Sequence, residues 1–336
     1  MKEAMLYEKV EDGKVKCNLC NHHCLIADGK RGLCGVRENQ EGTLHSLVYR
    51  KAIAAHIDPI EKKPFFNFLP GTLSYSIATQ GCNFRCKFCQ NWGISQSSKG
   101  GGEITGEDIS PMEIVREAKA SGCKSIAYTY TEPTVFFEYA YDTARLAKQE
   151  GLKNVFVTNG FMTEEALREI QPYLDAANVD LKAFTEEFYN KICGAKLEPV
   201  KKSLKLMKEL GIWVEITTLI IPTLNDSQEE LKSMAEFISN ELGPETPWHL
   251  SKFHPDYKMD SIKATPVETI HTVRELGLEA GLRYVYAGNL PGDSGENTYC
   301  YSCNELLINR YLFRINDNQI KDSKCPKCGA EIDGEI

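Results

Sequence analysis

From Leu73 to Tyr286 the chain alternates short apolar runs with longer amphipathic ones, and no other feature limits its fold more. Strand-like runs lie at Leu73–Thr79, Ser125–Tyr130, Asn154–Thr158, Ala177–Leu181, Trp213–Ile221, Trp248–Phe253 and Arg283–Tyr286. Helices are expected between them, over Pro111–Ser121, Thr134–Gln149, Thr163–Gln171, Glu198–Leu210, Ser227–Leu242 and Pro266–Ala280. Their starts are signalled by an N-cap and first-position proline at Ser110-Pro111 and by Asp226 or Ser227 ahead of acidic residues. Their ends are marked by Gly122, Gly151, Gly211, Gly243 and Gly281. Repeated strand–helix units imply a parallel sheet with helices outside it, an α/β barrel or part of one. In such a barrel the chemistry sits at the C-terminal ends of the strands.

Cysteine is the second constraint. Eleven of the thirteen fall in three tight clusters, Cys17/Cys20/Cys24/Cys34, Cys82/Cys86/Cys89 and Cys300/Cys303/Cys325/Cys328. Disulfides belong to a secreted context. The first residues, Met1-Lys-Glu-Ala-Met-Leu-Tyr-Glu8, lack the apolar core of a signal peptide. No run approaches the ~18 apolar residues of a membrane-spanning helix. The expected compartment is therefore the cytoplasm, and metal ligation explains the clustering better than disulfides do. Cys123 and Cys193 stand alone and read as ordinary buried thiols. With Lys+Arg 39 against Asp+Glu 47 the net charge is −8, which gives no general attraction to nucleic acid or anionic membrane.

The central cluster, Cys82-x3-Cys86-x2-Cys89, follows the first strand-like run directly. Three thiolates in so short a loop can hold three irons of a cubane [4Fe–4S] cluster and leave the fourth iron open to a small molecule. The N-terminal set is spaced x2, x3 and x9, with Gly29, Gly32 and Gly35 permitting tight turns and His22 and His23 as spare ligands. Four thiolates suit either a closed zinc site or a further iron–sulfur cluster. The C-terminal set is two CxxC knuckles with 21 residues between them, bracketing the alternating run Leu306–Phe313. This pattern is close to a zinc ribbon, whose metal staples a module too small for its own core. A docking module or another redox cluster is the rival reading.

Polar residues follow each strand-like run: Thr131-Glu132-Pro133, Thr158-Asn159-Gly160, Asp180-Leu181-Lys182, Asn225-Asp226 and His254-Pro255. Taken singly, an Asp or Asn there is more often a helix cap than a ligand, and Lys182 could be a solvated surface charge. All of them, however, would converge on the rim that carries the three-cysteine loop. Before the barrel, Leu44–Ile57 reads as one or two short strands and Pro64–Gly71 as an aromatic-rich connection packing on the core. The expected organisation is an N-terminal Cys-rich module and connector (1–71), a barrel (72–290) and a C-terminal zinc-ribbon-like module (291–336).

The loop Cys82-x3-Cys86-x2-Cys89, with Phe88 before its last cysteine, resembles the signature of the radical S-adenosylmethionine (SAM) superfamily. The resemblance implies a partial (β/α)6 TIM-like barrel. It also implies a [4Fe–4S] cluster whose open iron binds SAM, and a 5′-deoxyadenosyl radical that abstracts hydrogen from a substrate. Thr131-Glu132-Pro133 resembles the family's Gly-Gly-Glu-Pro segment, with Tyr130 and Thr131 in place of the glycines. This implies that Glu132 meets the SAM ammonium. Asn159, Asp180 and Lys182 match SAM-contacting positions of glycyl-radical-enzyme activases, and His254 matches a histidine near the ribose. A reduced electron donor of ferredoxin or flavodoxin type is implied as well.

The whole chain resembles a narrower group, the radical SAM proteins of the AmmeMemoRadiSam system. That likeness rests on the N-terminal cysteines followed by Gly35-Val-Arg37, the junction Asp58-Pro-Ile-Glu-Lys-Lys-Pro64, and Cys325-Pro-Lys-Cys328-Gly329. It implies Memo-like and AMMECR-like partners. The substrate is left open between a glycyl-radical or other protein and a small metabolite. A non-catalytic, metal-stapled interaction protein is the contrasting alternative.

Overall fold

The computed structural model describes residues 1–336. Its centre is one eight-stranded sheet. In chain order the strands are β1 (Ala54–Pro59), β2 (Leu73–Ala78), β3 (Ser125–Tyr128), β4 (Lys153–Thr158), β5 (Ala176–Asp180), β6 (Trp213–Ile220), β7 (Trp248–Lys252) and β8 (Val285–Gly288). They lie side by side in that order. β1 pairs antiparallel with β2, and β2 to β8 are all parallel. β1 and β8 do not pair with each other, so the barrel is open. The seven expected strands all form. The six-stranded count of the resemblance is thus exceeded by one parallel strand, because β8 finds a full register on β7.

The helices that cover the sheet are α1 (Pro111–Ala120), α2 (Phe137–Gln149), α3 (Glu164–Ile170), α4 (Leu197–Glu209), α5 (Gln228–Phe237) and α6 (Val267–Glu279). α1 begins with a complete capping box, since Ser110 and Glu113 satisfy each other's backbone amides. Two helices are shorter than the sequence suggests. α2 is preceded by a 3-10 turn over Pro133–Phe136, where the Glu132 carboxylate caps Thr134. α5 unwinds at Phe237 into a π turn over Ile238–Leu242.

The connector becomes part of the barrel. β1 extends the sheet, and the aromatic segment after it closes the end where the strands start. There the buried Glu215 of β6 accepts the backbone N–H groups of Phe66 (3.0 Å) and Asn67 (2.9 Å), the Trp213 indole (3.1 Å) and His249 Nε2 (2.6 Å). Four donors satisfy a carboxylate that would otherwise be expensive to bury. Arg310 of the C-terminal module stacks 4.3 Å above the Phe66 ring and donates to the Phe66 carbonyl at 2.9 Å. Asn67 bonds the segment 333–335 twice, its side-chain amide donating to Asp333 O and its carbonyl accepting from Glu335 N. The three-stranded ribbon of the C-terminal module, Thr298–Tyr299, Leu306–Tyr311 and Arg314–Asn318, thus sits under the barrel.

Higher in the junction, Asp58 accepts Lys62 (2.7 Å), Lys63 (2.6 Å) and the Tyr130 hydroxyl. Burial pushes the Asp58 carboxyl up, but these three donors outweigh it and hold it well below the usual carboxylate range. A depressed folded pKa stabilises the fold above the ordinary carboxylate pKa of about 4, and that stability is lost as pH falls further. Urea midpoints of the wild type should therefore drop on acidification below about pH 4 more steeply than those of Asp58→Asn. Equal slopes would show that Asp58 carries no such linkage.

The N-terminal module, built on two small three-stranded sheets, packs on the opposite end of the barrel from the ribbon. Its buried Arg37 forms an ion pair with Glu138 of α2 at 2.9 Å and donates to Met5 O at 2.7 Å, while Met5 N donates to the same carboxylate at 2.7 Å. No helix of the protein is long and apolar enough to cross a membrane.

Candidate active site

A cavity of about 220 Å³ opens at the C-terminal ends of the strands. Its walls include Cys82, Cys86, Phe88 and Cys89 from the loop after β2, and Glu132 after β3. Asn159 after β4, and Asp180 and Lys182 at the end of β5, complete that side. Of the strand-end residues singled out in the sequence, Glu132, Asn159, Asp180 and Lys182 are therefore brought together, whereas Asn225, Asp226 and His254 are not. Asn225 is buried and donates to Lys182 O at 2.7 Å, and Asp226 accepts Thr223 N at 2.8 Å within its own turn. His254 is exposed in the loop after β7 and lies outside this wall.

Glu132 is buried and organises two neighbouring loops. Its Oε1 accepts from Thr134 N (3.0 Å), Thr134 Oγ1 (2.5 Å) and Thr158 Oγ1 (2.7 Å), and its Oε2 accepts from Asn159 N (2.8 Å). Burial raises its pKa, and these hydrogen bonds counter the rise. Oε2 keeps a spare lone pair. Asn159 in turn donates to Asn83 Oδ1 at 2.7 Å, next to Cys82.

The backbone around Glu132 explains how the chain does without the expected glycines. Tyr130 itself takes the left-handed conformation, φ +62°, which costs a non-glycine residue about 1 kcal/mol or more. Its ring is held by Asp58 through the hydroxyl and by Lys63, whose Nζ lies 4.8 Å from the ring centroid. Thr131 Oγ1 donates to Thr79 O at 2.8 Å, locking the turn to β2.

The three cysteines of the loop are buried or half-buried, and burial drives the thiols of Cys82 and Cys89 upward. For Cys86 the first cause is a hydrogen bond with the thiol of Cys193, with burial next, and its pKa is pushed well up. Without metal these are neutral thiols, so loading a metal must release protons. The environment also offers help to thiolates. Phe84 N lies 3.4 Å from Cys82 Sγ, and Ser95 Oγ lies 3.3 Å from Cys89 Sγ. Lys182 donates to Asp180 at 2.7 Å and lies 5.6 Å from the Phe88 ring centroid. Burial lowers the Lys182 pKa, but the Asp180 carboxylate beside it outweighs this and carries it above its ordinary value. The site thus holds one fixed cation beside three sulfurs.

Several wall residues escaped the sequence reading. Thr217 and Ser251 project into the cavity from within β6 and β7, and Asn91 and Asn289 come from loops. Cys193, expected to be an ordinary buried thiol, contacts Cys86, and its carbonyl accepts Arg85 N at 2.8 Å. Nothing in its local sequence marks that contact.

Gly160 shows how tightly the Asn159 turn is fixed. Its φ is +69°, and a Cβ there would stand 2.8 Å from Val179 Cγ1. Gly160→Ala should cost about 1–3 kcal/mol through backbone strain and displace Asn159. Thermal unfolding checks the first part, and amide hydrogen exchange around Asn159 the second. Unchanged values in both would show that the turn tolerates a side chain.

The two outer cysteine sets differ in geometry. The sulfurs of Cys300, Cys303, Cys325 and Cys328 all lie within 4.8 Å of one another, with Cys300–Cys328 at 3.6 Å and Cys303–Cys325 at 3.7 Å. Cys17, Cys20, Cys24 and Cys34 instead line one small enclosed pocket beside the active-site loop.

Comparison with known proteins agrees with this site. Residues 76–238 match the family described as "Radical SAM superfamily". The uncharacterized protein MJ0808 of Methanocaldococcus jannaschii is 49% identical over 335 residues, covering 99% of both chains. A pyruvate formate-lyase-activating enzyme of Clostridium pasteurianum is 28% identical over 204 residues, covering 56% of this chain and 83% of that one. Among solved structures, a radical SAM methyltransferase from Sphaerobacter thermophilus shares the fold, with a TM-score of 0.51 at 17% identity over 68% of this chain and 71% of that one. The family match takes in the cavity wall from Cys82 to Leu219, and the chain belongs to the radical SAM superfamily.

Proposed function

We propose that this protein is a SAM-dependent radical enzyme in which Cys82, Cys86 and Cys89 hold a [4Fe–4S] cluster. The observation that carries the reading is the convergence of three thiols, one buried carboxylate and one fixed ion pair on a single cavity. The residues fit the group, with backbone and hydroxyl donors at two sulfurs and a lysine beside them to offset anionic charge. When bound, the cluster and SAM supply one-electron cleavage of the sulfonium and hydrogen-atom abstraction.

The protein's own part is to bind and orient. Glu132 Oε2, the carboxylate oxygen with the lighter hydrogen-bond load, receives the SAM ammonium. Asn159 and Asp180 offer an amide and a carboxylate to polar groups of the ligand. Phe88 gives an apolar face that limits water. His254 contributes only if its exposed loop closes over the cavity.

For the substrate we favour a protein or peptide over a small metabolite, as in an activase. Two observations support this choice. One is the similarity to the activating enzyme of pyruvate formate-lyase over most of that protein's length. The other is an aromatic stack next to the wall residue Asn91, in which exposed Trp92 lies on half-buried Tyr257 with ring centroids 5.1 Å apart. Memo-like and AMMECR-like proteins are the partners we would test first, with a ferredoxin- or flavodoxin-type donor.

The test is anaerobic incubation of the reconstituted protein with SAM and dithionite. Formation of 5′-deoxyadenosine is expected, and its absence from a protein with a full cluster would overturn the reading. An organic radical appearing on a partner protein would support the activase class. Turnover of a metabolite without such a radical would replace it.

A further inference from the structure

We propose that Cys17, Cys20, Cys24 and Cys34 hold a second iron–sulfur cluster, ligated on all its corners, and that the C-terminal four cysteines hold a single zinc ion. The sequence spacing alone permits either metal at either place. The geometry separates them.

A zinc ion binds thiolates at about 2.3 Å, so its four sulfurs stand about 3.8 Å apart. The C-terminal sulfurs are already at that spacing, with pairs at 3.6 and 3.7 Å. The N-terminal sulfurs are not. No three of them come within 4.8 Å of one another, and the same holds for Cys82, Cys86 and Cys89. In a cubane each thiolate binds a different iron, so the sulfurs are spread around a core rather than gathered on one ion. The N-terminal set thus shares with the active-site loop the lack of a single-ion spacing.

The pocket that these four sulfurs line is enclosed and mostly apolar, with Leu19, Ile26, Leu33 and Val135 in its wall. Two buried N–H donors in that wall, Arg37 Nε and Asn83 Nδ2, have no partner. Unpaired buried donors are rare and point to an absent acceptor. The sulfides and thiolates of an anionic cluster supply several acceptors at once. His22 is not free to be a fifth ligand through Nε2, because that atom contacts the Asn83 carbonyl at 3.0 Å.

The pocket is also built into the active site. Asn83 follows Cys82 directly, and Thr134 of the same wall hydrogen-bonds Glu132. Asn21 donates to Met162 O at 2.8 Å and Thr163 Oγ1 donates to Asn18 O at 2.8 Å, tying the cysteine loop to the segment after Asn159. At Gly81 the modules touch so closely that a Cβ would sit 2.6 Å from Val36 Cγ1.

The experiment is metal analysis of full-length protein purified anaerobically with Cys82, Cys86 and Cys89 all changed to alanine. About four irons, a matching amount of acid-labile sulfide and about one zinc per chain are expected, with a [4Fe–4S] electron paramagnetic resonance signal on reduction. Iron-free protein carrying about two zincs would overturn the proposal. Should that variant fail to fold, Cys17→Ser with Cys34→Ser in an otherwise wild-type chain gives the same answer. Iron should then fall from about eight to about four while zinc stays constant, whereas unchanged iron with loss of one zinc would overturn the proposal. Failure of the proposed function would look different, since loss of the Cys82 loop would then leave iron unchanged.

Discussion

Changing Cys86 to alanine should lower bound iron by about four atoms per chain and abolish 5′-deoxyadenosine formation. The loop supplies only three thiolates, so no spare ligand covers the loss except the neighbouring Cys193, which contacts Cys86. That neighbour makes Cys86 the most informative of the three positions. Cys86→Ala with Cys193→Ala removes any rescue, and Cys193→Ala alone should leave the iron content unchanged. Cleavage of SAM by the double variant at a rate near the wild type would refute the assignment of the loop as the cluster site. Iron retained in Cys86→Ala but lost in the double variant would show that Cys193 can substitute as a ligand.

The largest expected effect on stability belongs to Glu138→Ala. Glu138 lies on α2 and meets Arg37 of the N-terminal module, with both side chains essentially excluded from solvent. Removing one partner of a buried pair leaves the other charged and unpaired, at about 3–5 kcal/mol. It also strips the acceptor from Met5 N. The double change Arg37→Met with Glu138→Leu should recover much of the loss, since an apolar pair of similar volume is often tolerated. Chemical denaturation of the three proteins measures both values. A loss under about 1 kcal/mol for Glu138→Ala would mean that water reaches Arg37 and that the module docks less tightly than its contacts suggest.

How far the sequence could be read depended on the kind of signal. The parallel strands were legible because each is a short apolar run bounded by a helix that carries its own cap or closing glycine, as at Ser110-Pro111 and Gly122. Glu132, Asn159, Asp180 and Lys182 were legible because position at a strand end is a topological property that needs no coordinates. Thr217 and Ser251 were not, since a strand buried on both faces does not reveal by pattern which residues turn inward. His254 follows a strand like the others, but it is exposed and outside the cavity wall. Tyr130 was misleading in another way. Its left-handed backbone is supported by Asp58 and Lys63, some seventy residues earlier, and no local rule reaches that far.

The cover that Asp333 and Glu335 place over the lower end of the barrel has a consequence for how the protein is made. Ribosomes deliver residues in order, so the Pro64–Gly71 segment and every strand emerge before the residues that finish the lower end. Until then Asn67 lacks its partners in the last turn, and the Phe66 ring lacks the Arg310 guanidinium above it. Until residue 335 has emerged, a nascent chain thus carries an unsealed barrel base. Contacts spanning 266 residues are late and slow by their topology. Holdase chaperones that shield apolar surface should accordingly raise the yield of folded protein more than those that act on the finished chain.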